Sequence, residues 1–371
     1  MTSYSRAMVL TAPEKLELQS FKLPGVGEAD GLLRVERVGV CGSDPAIYEG
    51  RPTRGARPYP IILGHEVVGR IYKAGKAARA RWGLKEGDRA VLEYAFGCGF
   101  CDQCLSGSYT LCEKNYTYGS MISCRKPPHL FGGYSEFVYL HPRAMAHKID
   151  EEISPEVGVL ICAVVGNAVR WLRQIGNVSA GDAVAILGPG LQGIVAAAVA
   201  EASGAGPIVV AGLSRDARRL EMARRFGAAA TVDIERQDLV KVVGEMTGGK
   251  MARVVMDVTG SPAGAALALS LAGKRATVVL PGIYKDSKVP LDLNRAVVNE
   301  LRLLGAFSHD FHAVGAAIKM IREQRYPFEE LISHEFCLED AEHALQLVAG
   351  KLQGETPLKV LLNPEGLKNG G

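Results

Sequence analysis

The sequence predicts an α/β protein of two domains, a mostly-β unit followed by a doubly wound parallel sheet. Three observations predict it. Residues 1 to about 150 are rich in Gly, Pro and short β-branched runs. From Asp182 onward, apolar strand-like runs alternate with helical stretches, the pattern of a parallel sheet with helical crossovers. Gly188-Pro189-Gly190-Leu191-Gln192-Gly193 joins the first of those runs to an Ala-rich helix. At 371 residues the chain is long for one domain and comfortable for two.

The elements follow in order. Leu32–Val40, Ile61–Tyr72 and Arg89–Leu92 read as strands, with turns at Pro24-Gly25 and Glu86-Gly87-Asp88. Together they suggest an antiparallel, barrel-like domain with long loops. The composition shifts after Ser154-Pro155, where Pro155 suits the first turn of a helix carrying Ile161, Val165, Val169 and Leu172. Ala183–Leu187, Ile208–Ala211, Ala230–Val232, Arg253–Val258, Ala276–Leu280 and Leu301–Leu304 are six strand candidates with intervening helices, one of them Arg-rich and ending at Phe226. The tail adds a helix over Ala313–Arg322 and the apolar segment Leu358–Leu362.

Composition narrows the function. A net charge of +3 with scattered basic residues argues against nucleic acid. Arg218-Arg219 and Arg224-Arg225 read as the solvated face of a helix. Met1–Leu10 has no apolar core of a secretory signal. Ala183–Ala200 is apolar enough for a membrane span but is broken by its glycines and Pro189, which suits strand, turn and helix. Eight cysteines at metal-ligand spacings, without a signal peptide, point to a reducing cytoplasm.

Two groups of residues carry metal chemistry. Cys98, Cys101, Cys104 and Cys112 stand at Cys-x2-Cys-x2-Cys-x7-Cys, which closes a tetrahedral shell around one structural zinc. Cys41, in Cys41-Gly42-Ser43-Asp44, and His65, in Gly64-His65-Glu66, form the parts of a second, open site. Ser43 stands near enough to Cys41 to touch a group on the same metal, and Asp44 can fix the tautomer of His65. A catalytic zinc takes three protein ligands. The third is Cys162 or Glu66, with Cys162 the better candidate. Cys124 and Cys337 read as structural thiols.

The glycine turn carries the cofactor. Gly188 makes the turn, Gly190 lets the backbone approach a pyrophosphate, and Gly193 lets helix pack on strand; Leu191 and Gln192 open the helix whose N-terminus favours phosphate. At the end of the next strand an NAD site commonly has an acid. Here Gly212 removes it, while Ser214 and Arg215 suit a 2′-phosphate. The cofactor is therefore NADP or NAD, with a lean to NADP; Asp216 is close enough to substitute for the acid.

These motifs resemble the zinc-containing medium-chain alcohol/polyol dehydrogenase family over nearly the whole length. The resemblance rests on Cys41-Gly42-Ser43-Asp44, Gly64-His65-Glu66-x-x-Gly69, the four-Cys lobe and the Gly188–Gly193 turn. It implies a GroES-like catalytic domain over 1–162 and 307–371, and an inserted Rossmann cofactor domain over 163–306. It also implies a catalytic zinc on Cys41 and His65 beside Glu66, and Ser43 taking the substrate's hydroxyl proton. Cys162 aligns where polyol-type relatives often have Glu. Pro45-Ala46-Ile47 stands where relatives often have a relay histidine. The implied partners are an alcohol or carbonyl substrate and further copies of the chain, as a homodimer or homotetramer, with no nucleic acid and no membrane. Ile47, Tyr48, Tyr94 and Phe96 flank the metal motifs and suit an apolar or aromatic alcohol. A zinc-free reductase is disfavoured by the two cysteine motifs, and a zinc-ribbon binding module by the lack of a basic cluster around Tyr109 and Lys114.

Overall fold

In the computed structural model, residues 3–51, 57–114, 116–284 and 288–366 are described. The chain divides into two compact units, 1–162 with 321–323 and 328–371, and 163–320 with 324–327.

The first unit opens with β1 (Tyr4–Ala12), β2 (Lys15–Lys22), β3 (Gly31–Val40), β4 (Ile61–Ile62), β5 (Glu66–Ala74), β6 (Arg89–Leu92), β7 (Phe137–Leu140) and β8 (Ala146–Lys148). The strand expected over Ile61–Tyr72 is two strands. The chain leaves the ladder at Leu63–His65, with Gly64 at φ +88°, and that break delivers His65. β3 is central, pairing antiparallel with both β5 and β7. β1 and β2, for which the sequence reading names no strand, pair along their length; β2 alternates between exposed and part-buried residues and so lacks a long apolar signal. The core gathers Leu10, Leu33, Val38, Ile62, Leu92, Tyr134 and Val138, all essentially buried.

The second unit is the parallel sheet of β9 (Val184–Leu187), β10 (Ile208–Gly212), β11 (Ala230–Asp233), β12 (Ala252–Asp257), β13 (Ala272–Leu280) and β14 (Arg302–Gly305). Their order is β11-β10-β9-β12-β13-β14, with every pairing parallel. Strand order reverses between β9 and β12, the switch point at which such sheets bind ligands. This is the Rossmann arrangement expected from the sequence, and the first unit is β-rich. Crossovers Leu191–Glu201 and Pro262–Leu271 bury small residues such as Ala196, Ala197, Ala200, Ala265 and Ala268, letting helices lie close to the sheet.

The tail returns β15 (Ile332–Cys337) and β16 (Lys359–Asn363) to the first unit, where β16 pairs antiparallel with β3. Of the residues from 307 onward, 321–323 and 328–371 fall in the first unit, whereas 307–320 and 324–327 fall in the second. The reason lies in hydrogen bonds within the second unit: Arg170 and Trp171 donate to the carbonyls of Phe307 and Ser308, Arg170 pairs with Asp310, and Tyr326 donates to the Ala198 carbonyl. Pro155–Ile175 is long and apolar enough to cross a membrane, but 72% of its most apolar window is buried inside the protein, as in a core helix.

Candidate metal centres and cofactor turn

The four-cysteine loop is set by short local turns. The helix Asp102–Leu105 starts beside Cys101, and the 3-10 turn Tyr109–Leu111 leads into Cys112. Sγ of Cys98 lies 3.9 Å from that of Cys104, and Sγ of Cys101 lies 4.0 Å from that of Cys112. A tetrahedron of sulfurs about 2.3 Å from zinc has an edge of about 3.8 Å, so the cluster fits that ion. Backbone N–H groups of Cys98 and Cys101 donate to the sulfurs of Cys112 and Cys98, as thiolates require. The Phe100 N–H, the largest influence, pulls the Cys98 thiol down to about 6. Burial pushes Cys104 up to about 12. A cation at the centre removes that opposition by favouring all four thiolates.

Metal-binding atoms of Cys41, His65 and Glu66 form a second group, all within 4.8 Å of one another. Cys41 follows the last residue of β3, and Glu66 opens β5, which runs antiparallel to it. Asp44 braces the corner. Its Oδ2 accepts the Cys41 N–H at 3.0 Å and the Tyr134 hydroxyl at 3.1 Å, and its Oδ1 lies 3.4 Å from His65 Nδ1. Nε2 of His65 is then the nitrogen left for a metal. Burial opposes charge on His65, but the Asp44 carboxylate and the Cys41 thiol outweigh it and raise the ring well above its ordinary value. The donor set of thiol, imidazole and carboxylate is one that zinc accepts.

Glu66 is buried and paired with the buried Lys359 of β16. Its carboxylate has room because Gly39 stands opposite; a Cβ there would lie 2.0 Å from Glu66 Oε2. Cys162 stands outside the group of three. It is buried in the π-helical turn Ile161–Gly166, and burial, with the Glu93 and Glu66 carboxylates, raises its thiol well above the ordinary value. Ser43 is exposed, and its hydroxyl has no hydrogen bond among the described residues. Of the four apolar flanking residues, Tyr94 packs its ring against His65 at 6.1 Å. The others are core: Ile47 is buried, Tyr48 donates its hydroxyl to Glu342 at 2.6 Å, and Phe96 stacks on His141.

Sequence reading missed Lys359 and a buried hydrogen-bonded cluster around Glu93. Glu93 accepts the Tyr109 hydroxyl at 2.5 Å and contacts His147 Nε2 at 2.7 Å. Lysine inside an apolar strand, Leu358-Lys359-Val360-Leu361-Leu362, was the available signal for the first.

In the second unit, Gly188 turns with φ +100° after β9, and Gly190 caps the helix Leu191–Glu201. A Cβ on Gly193 would lie 1.9 Å from the Gly188 carbonyl oxygen, so helix and strand meet only through glycine. The Gln192 side chain donates to the Ala163 carbonyl at 2.7 Å, which leaves its backbone to face a ligand. At the switch point, buried Asp257 accepts from the Thr259 N–H at 2.9 Å and from the Tyr284 hydroxyl at 2.8 Å, tying two strand-end loops together. The turn, switch point and helix N-terminus together fit a dinucleotide pyrophosphate.

Comparison with known proteins agrees with both units. Residues 27–151 match the alcohol dehydrogenase GroES-like domain, and residues 193–323 match the zinc-binding dehydrogenase domain. A probable alcohol dehydrogenase of Mycobacterium tuberculosis is 40% identical over 366 residues, covering 97% of this chain and 98% of that one. An erythritol/L-threitol dehydrogenase of Mycolicibacterium smegmatis is 30% identical, covering 97% of each. A putative zinc-binding dehydrogenase of Sinorhizobium meliloti, solved bound to NADP, superposes with a TM-score of 0.85 at 26% identity, covering 98% of this chain and 100% of that one. The chain thus belongs to the zinc-containing medium-chain alcohol/polyol dehydrogenase family, and it is a zinc-dependent oxidoreductase transferring hydride between an alcohol, or its aldehyde or ketone, and a nicotinamide cofactor.

Proposed function

We propose that the open metal site is held by Cys41, His65 and Cys162, with Glu66 adjoining, and that Ser43 receives the substrate's hydroxyl proton. The observation that carries this is the gathering of Cys41, His65 and Glu66, with Ser43 two residues along the chain from Cys41 and its hydroxyl without a hydrogen bond among the described residues. Zinc bound there supplies Lewis acidity to the substrate oxygen. Asp44 orients the His65 ring, and Lys359 already neutralises Glu66, which favours the Cys162 thiol over that carboxylate as third ligand. Exposed Ser43 passes its proton on to water, without a neighbouring histidine in Pro45-Ala46-Ile47. Cys98, Cys101, Cys104 and Cys112 hold the structural zinc. Gly188, Gly190, Leu191, Gln192 and Gly193 seat the pyrophosphate. The substrate is a primary or secondary alcohol, and the polyol relatives make a polyhydroxylated one the second reading. A cytoplasmic site of action agrees with eight unpaired cysteines, and a homodimer or homotetramer with the exposed apolar residues in the segment that leads into β14.

Cys162→Ser tests the ligand set. The expected variant keeps the structural zinc, loses the other, and falls in activity by about a hundredfold or more. Zinc counted by emission spectrometry then drops from two to one per chain. Two zinc ions and full activity in Cys162→Ser would make Glu66 the third ligand.

A further inference from the structure

The adenosine end of the cofactor site carries more negative charge than its own strand supplies. β10 ends at Gly212, where a side chain is blocked: a Cβ would lie 2.5 Å from Pro189 Cγ in the phosphate turn. Asp216 is committed to its own turn. Its Oδ2 accepts the Leu213 N–H at 3.1 Å, and its Oδ1 lies 3.5 Å from Arg219. The donors left to grip a 2′-phosphate are the Ser214 hydroxyl, the Ser214 N–H and Arg215.

Both Ser214 donors are taken by carboxylates at the end of the neighbouring strand and in the turn that follows it. The hydroxyl donates to Asp233 Oδ2 at 2.7 Å, and the N–H donates to Glu235 Oε2 at 2.7 Å. The Glu235 N–H donates to Asp233 Oδ1 at 3.0 Å, so the two acids form one corner. Strand register brings that corner to the right place, because Gly212 pairs directly with Asp233. Arg236, 3.4 Å from Asp233, offsets part of the charge. Arg215 is exposed and has no ion pair among the described residues.

We propose that Asp233 and Glu235 are specificity-determining residues that select NAD over NADP. The inference rests on the dinucleotide reading of the Gly188–Gly193 turn. NAD brings a ribose diol, whose hydroxyls donate to carboxylates. NADP brings a group of about −1.5 to −2 charge at neutral pH, by analogy with other phosphomonoesters. That phosphate must displace the bonds of Ser214 and lie against two carboxylates, with Arg215 and the already paired Arg236 to meet it. Gly212, Ser214 and Arg215 by themselves favour NADP; the acids at the end of the next strand and in its turn reverse the balance.

Dissociation constants of the full-length enzyme for NAD and NADP, measured by titration calorimetry, test this. The wild type is expected to bind NAD about tenfold tighter or more, and the gap is expected to narrow as salt screens exposed charge. Asp233→Asn with Glu235→Gln should tighten NADP by about tenfold and weaken NAD, whose ribose diol then donates to neutral amide oxygens, by about threefold or more. Glu235→Gln alone, an exposed and isosteric change, should move the ratio the same way if the double variant fails to fold. A wild type that binds NADP as tightly as NAD, or variants with an unchanged ratio, would overturn the proposal. Failure of the wild type to bind either cofactor would overturn the dinucleotide reading as well, so the two failures are distinct.

Discussion

Lys359 shows what one residue does for the open metal site. It is a buried lysine whose partner, Glu66, is a buried acid 293 positions earlier. Removing one member of such a pair leaves an uncompensated charge, which typically costs about 3–5 kcal/mol. Lys359→Met is therefore expected to lower stability by about that amount in protein stripped of the open-site metal. The loss should be smaller when zinc is present, because the metal then meets the Glu66 charge. Urea unfolding with and without the metal checks this; equal losses in both would show that Glu66 does not sense the metal. The contrast with the cysteines explains what could be read from sequence. Cys98 to Cys112 meet within one loop, so spacing alone reports the cluster. Cys41 and His65 are recognisable through their flanking motifs. The Glu66–Lys359 and Glu93–Tyr109–His147 contacts join distant segments, and a single sequence carries no register between them.

At the scale of elements, aromatic packing next to the four-cysteine loop sets an acid limit. Phe96 stacks between Tyr116, at 5.7 Å, and His141, at 4.4 Å. Burial, helped by Arg143 and Arg81, lowers the His141 ring to about 4. Its Nδ1 accepts the Arg143 N–H at 3.1 Å, which requires the neutral ring. An unfolded histidine titrates near about 6.5. Between those values the unfolded chain binds more protons, so stability is complete above about pH 6.5 and falls as pH drops towards 4. The expected loss is about 2 kcal/mol after allowance for partial exposure. His141→Gln should flatten that part of the profile, read as urea midpoints at several pH values; a variant with the same acid slope would assign the loss elsewhere. Strands were legible where apolar runs were unbroken, as in β9, β10, β12 and β13. The split between β4 and β5 was not, because the apolar run continues through Leu63 while the backbone departs at Gly64.

At the scale of the whole molecule, the second unit ends its sheet on an edge that is strongly apolar. β14 has β13 on one side and no further strand among the described residues. Near it in sequence, Leu293, Val297 and Val298 on a short helix are 64%, 75% and 75% exposed, and Ile283 is 63% exposed. Single exposed apolar residues are ordinary, but several in the segment that leads into an unpaired edge strand mark an association surface. Self-association is the reading this favours, since an identical copy offers both an edge strand and a matching apolar helix. Light scattering after size exclusion should then give a multiple of the 39.6 kDa chain mass. Val297→Asp with Val298→Asp should shift the protein towards the monomer. Because both side chains already face water in the single chain, the change should cost the folded monomer less than about 0.5 kcal/mol per site. A charge at this position would have to be buried in the assembly, so the effect on association should be severe even where the effect on folding is slight. A wild type that runs as a monomer at every concentration, or a variant that keeps the oligomer, would remove this surface as the interface.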